Sequence, residues 1–196
     1  MSPGLSGLFP QVAAYGAAST AISFPYRKRE PTEEPMSMKS LLVLYSYHHK
    51  NTEAVAKVLS KVLGAKIVTP REVSPTELAG YDLVGFGAGI DSGKHYRPIL
   101  DLADRLPPVD AKKAFIFSTC GAPAFIVTQG FILKNHSALR EKLEAKGYAI
   151  VGEFGCPGFN TNVFLKYFGG INRKRPNAED LERAEAFAQS LVQKTS

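Results

Sequence analysis

The stretch Leu41 to Ala56, LLVLYSYHHKNTEAVA, constrains this chain more than any other. A short apolar run there empties into a polar loop and then directly into an amphipathic helix. Leu41, Leu42, Val43 and Leu44 read as a strand buried on both faces, as a central parallel strand must be. Asn51, Thr52 and Glu53 have the chemistry of a helix start. Backbone N–H groups left unpaired at that start, together with the helix dipole, favour an anion lodged in the loop between.

From Met38 onward, strands and helices alternate. After the first strand, Leu41 to Tyr45, a helix is predicted from about Thr52 to Leu63, with Val55, Leu59 and Val62 on one face and Gly64 as its cap. A short strand at Lys66 to Val68 follows, then a Pro-punctuated connection and a third strand at Tyr81 to Phe86. Pro98 to Arg105 suits a helix, Ala114 to Phe117 a fourth strand, and His136 to Lys146 a helix closed by Gly147. Tyr148 to Phe154 gives a fifth strand. Asn177 to Val192 gives a last helix, with Leu181, Ala184, Ala188 and Leu191 on its buried side. Strands alternating with helices in this way imply a parallel sheet covered on both faces, since right-handed crossovers place helices there.

Composition narrows the function classes. The chain has 196 residues, 44% hydrophobic and 21% charged, which allows one domain of ordinary size. No apolar run approaches the length of a membrane span, so a soluble protein is expected. The formal net charge of +6 raises the question of a nucleic-acid partner. The Lys and Arg residues are spread among acids, however, and no reader motif accompanies them, so nucleic acid is not the expected partner. Cys120 and Cys156 lack zinc-ligand spacing and make no disulfide scaffold, which fits a reducing cytoplasm. His48 and His49 are adjacent in a loop, point apart and have no nearby Cys or carboxylate, so a metal site is not expected.

Residues 1–37 are a different kind of sequence. They are rich in Ser, Ala, Gly and Pro and end in the charged, Pro-flanked run RKREPTEEP, which reads as a linker. A signal peptide would need a basic start and a longer apolar core. The segment is expected to be a disordered extension ahead of a domain that starts at Met36 or Met38 and runs to residue 196.

An open parallel sheet binds its ligand outside the carboxyl ends of its strands. Here those ends carry SYHHKNT, GAGIDSGKHY, STCGAP and GCPGFNTN, four loops rich in residues that bring backbone close to a ligand or hydrogen-bond to it. Turns use the same residues anyway, but four such loops at one sheet edge point to a site.

With these residues in view, the chain from Met38 to Val192 resembles the flavodoxin family. The resemblance rests on the first loop ending in Asn51, Thr52 and Glu53, on PTELAGYDLVGFGAGI from Pro75 to Ile90, and on the loop beginning Ser118, Thr119. It implies an α/β, flavodoxin-like three-layer sandwich with a five-stranded parallel sheet in the order 2-1-3-4-5, and FMN as cofactor. The family's phosphate pattern, Ser/Thr-x-Thr-Gly-Asn-Thr, lands on Tyr47, His48, His49, Lys50, Asn51 and Thr52. Asn51 and Thr52 match, while the hydroxyls and the glycine are replaced, with Ser46 one position early as a displaced hydroxyl. Histidine and lysine can themselves donate to phosphate. The resemblance further assigns Ala88, Gly89, Ile90, His95 and Tyr96 after the third strand, and Ser118, Thr119, Cys120 and Gly121 after the fourth, to the flavin.

The chain departs from the electron-carrier flavodoxins in two respects. It has no Trp to stack on the flavin, and the third-strand loop holds Lys94, His95 and Arg97 against one acid, Asp91. Positive groups there should stabilise a reduced, anionic flavin and raise its potential. GAGIDSGKHYRPIL also resembles the corresponding loop of menaquinone-dependent protoporphyrinogen oxidases. The resemblance therefore implies an FMN protein acting in electron transfer or as a small oxidoreductase, with a redox protein or a small-molecule or quinone acceptor as partner. A flavin-less interaction domain of the same fold is the alternative. A response-regulator reading fails, because Tyr45, Ser46 and Gly87 stand where that class needs acids. With strand order 2-1-3-4-5, Cys120 and Cys156 would follow neighbouring strands, as a redox pair or, by default, as two buried packing residues.

Overall fold

The computed structural model of this chain describes residues 38–162, 167 and 169–195. Residues 1–37, expected above to be a disordered extension, lie outside the described residues. The elements run in chain order as β1 (Ser40–Tyr45), α1 (Asn51–Leu63), β2 (Lys66–Val68), β3 (Leu83–Asp91), β4 (Lys94–His95), α2 (Arg97–Arg105), β5 (Lys112–Cys120), α3 (Gln129–Ala145), β6 (Tyr148–Pro157) and α4 (Ala178–Thr195). The sheet order is β2-β1-β3-β5-β6, parallel throughout, which is the 2-1-3-4-5 arrangement of the flavodoxin-like sandwich. A sixth strand was not expected: β4 pairs antiparallel with the end of β3, Ile90 opposite His95, as a short arm outside that order.

Alternation along the central strands explains both layers. Leu41, Val43, Val84, Phe86 and Ile116 face α2 and α3, where they meet Ile99, Leu102, Leu139 and Leu143. Leu42, Leu44, Phe115 and Phe117 face α1 and α4, against Val55, Leu59, Ala184, Ala188 and Leu191. On that second face β3 contributes Gly85 and Gly87. A Cβ at either position would overlap the ring of Phe115 or Phe117, so the two glycines give the rings their room.

Strand ends differ from the sequence reading in one consistent way. The third strand was expected to stop at Phe86 and the fourth at Phe117, but β3 continues to Asp91 and β5 to Cys120. Ladder pairing carries them on, Gly87↔Phe117 through Ile90↔Cys120, and glycine-rich composition that reads as loop is held as strand by its neighbour. The helix expected to begin at His136 begins at Gln129, because the Thr128 hydroxyl accepts from the Phe131 N–H and caps it there.

One polar network lies inside the apolar layer under α3. His136 is fully buried, its Nδ1 lies 2.8 Å from Glu153 Oε2, and its Nε2 lies 2.7 Å from Ser118 Oγ. With Nδ1–H donated to the carboxylate, Nε2 accepts the Ser118 hydroxyl proton. Arg140 closes the network through Nε at 2.6 Å and Nη2 at 3.1 Å from the two Glu153 oxygens. His95, on β4, sets its ring at a tilt of 46° to that of His136 with centroids 4.8 Å apart, and neither of its ring nitrogens makes a well-formed hydrogen bond. Burial lowers the pKa of both histidines, that of His95 well below its ordinary value. Glu153 is pushed up by burial but held below its ordinary value by His136 and Arg140.

The two cysteines do not form a pair. Cys156 is in register with Thr119, whose hydroxyl bonds Thr52 on α1, so Cys156 lies on the α1 and α4 face. Cys120, one residue further along β5, points to the other face. Side chains that leave a sheet in opposite directions cannot be bridged. Burial raises both thiols, Cys156 to about 12.

Two measurements follow from this interior. Thiol titration of the native protein after mild oxidation should still find two thiols, with Cys156 unreactive until the chain unfolds; loss of both without dimer formation would contradict the opposed placement. The unfolded histidines take up protons near pH 6.5 that the folded ones refuse. Stability should therefore fall as pH drops below that value, by up to about 1.4 kcal/mol per pH unit for each group. Urea unfolding at pH 8, 6.5 and 5.5 checks this. His95→Phe, which removes two buried nitrogens that make no well-formed hydrogen bond, should flatten the slope without loss of stability at pH 8.

Candidate functional site

β1 empties at Tyr45 into the turn Ser46–Lys50, and α1 starts at Asn51. Lys50 occupies the position of the glycine in the family phosphate pattern, and its φ of 55° is in the left-handed region, where a non-glycine residue costs about 1–2 kcal/mol. His49 shares that region at φ 53°. The first intrahelical bond runs from Ala54 N–H to Lys50 O, and no side chain caps the helix, so the amides of Asn51, Thr52 and Glu53 face the turn without a capping oxygen. Ser46 Oγ is buried beside them without a partner.

These groups open onto a cleft of about 250 Å3 at the carboxyl edge of β1, β3 and β5. Of the residues assigned from sequence, Ser46, Tyr47, His48, Asn51, Thr52, Gly89, Ile90, Tyr96, Thr119, Cys120 and Gly121 line it. Five do not. Lys50 is exposed, His49 packs its ring on Phe159 outside the cleft lining, and Ala88 and Ser118 are buried within β3 and β5. His95 is buried against His136, so it does not count among the positive groups of the third-strand loop. The order hydroxyl, imidazole, carboxylate in Ser118, His136 and Glu153 is that of a hydrolase relay. Ser118 and His136 are fully buried and do not line the cleft, so no substrate reaches the hydroxyl.

The far walls fall largely within the loops GAGIDSGKHY, STCGAP and GCPGFNTN marked from the sequence, though their residues were not assigned one by one; Phe131 and Asn135 lie outside those loops and were missed. Asp91, Ser92 and Gly93 come from the β3–β4 turn, Ala122 from the end of β5, and Phe131 and Asn135 from the first turns of α3. Phe159, Asn160 and Asn162 come from the connection after β6. The rings at the cleft are Tyr47, Tyr96, Phe131 and Phe159, together with His48. The Thr128 cap signal would have found Phe131.

The connection after β6 is tied to the first loop and to the end of β5. Asn51 Nδ2 donates to Phe159 O at 2.8 Å, and Thr161 Oγ1 lies 3.2 Å from His48 Nε2 and 2.7 Å from His49 Nε2. Asn160 Nδ2 donates to Gly121 O, and Asn172 Nδ2 to Ala122 O and Gly158 O. Arg175 and Asn177 then anchor the segment on Asp180 of α4, with Arg175 Nη1 at 2.7 Å from Asp180 Oδ1. Among the described residues, no cluster of three or more His, Cys, Asp or Glu side chains could hold a metal. No described helix is long and apolar enough to cross a membrane.

Comparison with known proteins agrees with this geometry. The flavodoxin domain family matches residues 42–190. An uncharacterized protein of Methanocaldococcus jannaschii is 44% identical over 157 residues, covering 79% of this chain and 99% of that protein. Among solved structures, oxidised flavodoxin 1 of Bacillus cereus aligns with a TM-score of 0.57 at 20% identity, over 80% of this chain and 99% of its own. The flavodoxin of Fusobacterium nucleatum, solved bound to flavin mononucleotide, aligns at 0.55 and 11%, over 80% and 99%. At those identities the structures speak for the fold alone. Sheet order, layer packing and the family match over three quarters of the sequence agree: this chain belongs to the flavodoxin domain family.

Proposed function

We propose that the protein binds FMN in the cleft at the start of α1 and acts as an electron-transfer flavoprotein. The observation that carries this reading is the pairing of an uncapped helix start with the buried, unpartnered hydroxyl of Ser46. A buried polar group without a partner costs about 1–3 kcal/mol, a cost that an anion accepting from Ser46 and the α1 amides removes. His48 and Thr52 stand within the same wall. Tyr96, Phe131 and Phe159 offer aromatic surface to a flat ring, and Gly89 and Gly121 let backbone approach it. Bound FMN supplies one- and two-electron redox chemistry, and the chain's own residues set its environment. Two free, buried cysteines accord with a reducing cytoplasm.

A second reading, an interaction domain of this fold without flavin, has one observation in its favour. The side chains that match the family pattern are already engaged inside the protein, Asn51 with Phe159 O and Thr52 with Thr119. One titration separates the two. FMN added to the protein should bind with quenching of its fluorescence, and Ser46→Ala should weaken binding at least about tenfold, from loss of a hydrogen bond to a charged group. Because Ser46 Oγ has no partner, the same variant should keep the melting temperature of the flavin-free protein. No quenching at any concentration would leave the interaction domain as the function.

A further inference from the structure

The rim of the cleft has an unusual composition for a monomer's surface. Tyr47 is 75% exposed and Phe125 83%, with Ile126 and Leu133 also exposed. Phe125 and Ile126 lie in the 3-10 turn Ala124–Ile126, between Ala122 and Phe131 in the chain, and both of those residues line the cleft. Large apolar side chains left in water beside a ligand cleft mark a surface that is covered in use.

Charge says what covers it. Around the same edge stand Lys50, Lys94, Arg97, Arg173, Lys174 and Arg175, with Glu53, paired to Lys50, and Asp91, Asp101 and Asp180 among them. Arg97 is paired with Asp101 and Arg175 with Asp180, but Lys94, Arg173 and Lys174 form no ion pair with any described residue. Lys134 is exposed next to Leu133. Set against the one remaining acid of these loops, Asp91, the unpaired cations leave a local positive surplus at this edge. Exposed apolar side chains and unpaired cations on the loops of one edge fit a partner with an apolar centre and an acidic rim.

We infer that this edge docks an acidic electron-carrier protein, with Tyr47 and Phe125 at the centre of the contact and Lys94, Arg173 and Lys174 steering it. The inference rests on the FMN reading for its redox step alone: one electron leaves the reduced centre of the carrier, which is oxidised, and enters the bound flavin, which is reduced. The docking itself needs only the surface.

The test uses the full chain, with and without FMN, and two probes: an acidic [2Fe–2S] ferredoxin and basic cytochrome c. Calorimetric titration should show binding of the ferredoxin that weakens as ionic strength rises from about 20 to about 200 mM, as screening shortens the reach of the charges. Cytochrome c should bind at least about tenfold more weakly at the low end. Lys94→Glu with Lys174→Glu should cost about tenfold in ferredoxin affinity and flatten the salt dependence, and Phe125→Ser should cost about tenfold with the salt dependence kept. With FMN bound, the rate of flavin reduction by chemically reduced ferredoxin should fall with salt in parallel. Tighter binding of cytochrome c, ferredoxin binding indifferent to salt and to all three substitutions, or preference for a polyanion such as heparin over the ferredoxin would overturn the inference. Ferredoxin docking without FMN uptake would sink the flavin reading and leave the docking surface standing. FMN uptake without ferredoxin docking does the reverse.

Discussion

The start of α1 is the constraint on which the rest of the site depends. A parallel strand that ends at the sheet edge and turns at once into a helix leaves three amides pointing back over the edge. In most helices a Ser, Thr, Asp or Asn side chain takes up that capacity. Here the residue at the cap position is Lys50, held left-handed and offering no oxygen, while Asn51 and Thr52 are spent on Phe159 and Thr119. The donor capacity is preserved at the cost of backbone strain in two consecutive residues, His49 and Lys50. Strain kept at a ligand-facing turn is a functional signal when the observation comes first, as it does here.

The other loops serve that opening by enclosing it. Long β3 and β5 strands carry Gly89, Ile90, Thr119 and Cys120 up to the edge as rigid wall, so the floor of the cleft is sheet and only its rim is loop. The connection after β6 closes the remaining side by hydrogen bonds to both neighbouring loops, through the amides of Asn51, Asn160 and Asn172 and the hydroxyl of Thr161. Side-chain amides suit this task because each donates to a backbone carbonyl that a loop would otherwise leave to water. The interior network of Ser118, His136, Glu153 and Arg140 fixes α3 against β5 and β6, which places Phe131 and Asn135 on the cleft.

Much of this was legible in the residues. The apolar quartet Leu41 to Leu44 followed by Asn51 and Thr52 located the first strand, the turn and the helix start, and alternation of strands with helices led to the parallel sheet, while its order came from the family resemblance. Glycine composition misled at the ends of β3 and β5, where pairing with a neighbour outweighs local preference. The burial of His95 was invisible because a lone histidine in a polar loop reads as a surface group, and only the β3–β4 arm turns it inward. The cysteines shared an edge as expected, but the register Thr119↔Cys156 sends them to opposite faces, and a one-residue offset between strands cannot be read from spacing. Phe159 and the asparagines after it lie in GCPGFNTN, legible as a site loop from its place after the fifth strand, but without periodicity the individual residues could not be assigned.

The most direct test of a phosphate-binding helix start is an amide chemical-shift titration of the isotope-labelled protein with FMN, followed by one with riboflavin, which lacks the phosphate. The amides of residues 46–53 should shift strongly with FMN and weakly with riboflavin, while those of Gly89, Thr119, Gly121 and Phe159 should shift with both. Shifts spread evenly over the surface, or an undisturbed helix start with FMN bound elsewhere, would contradict the account.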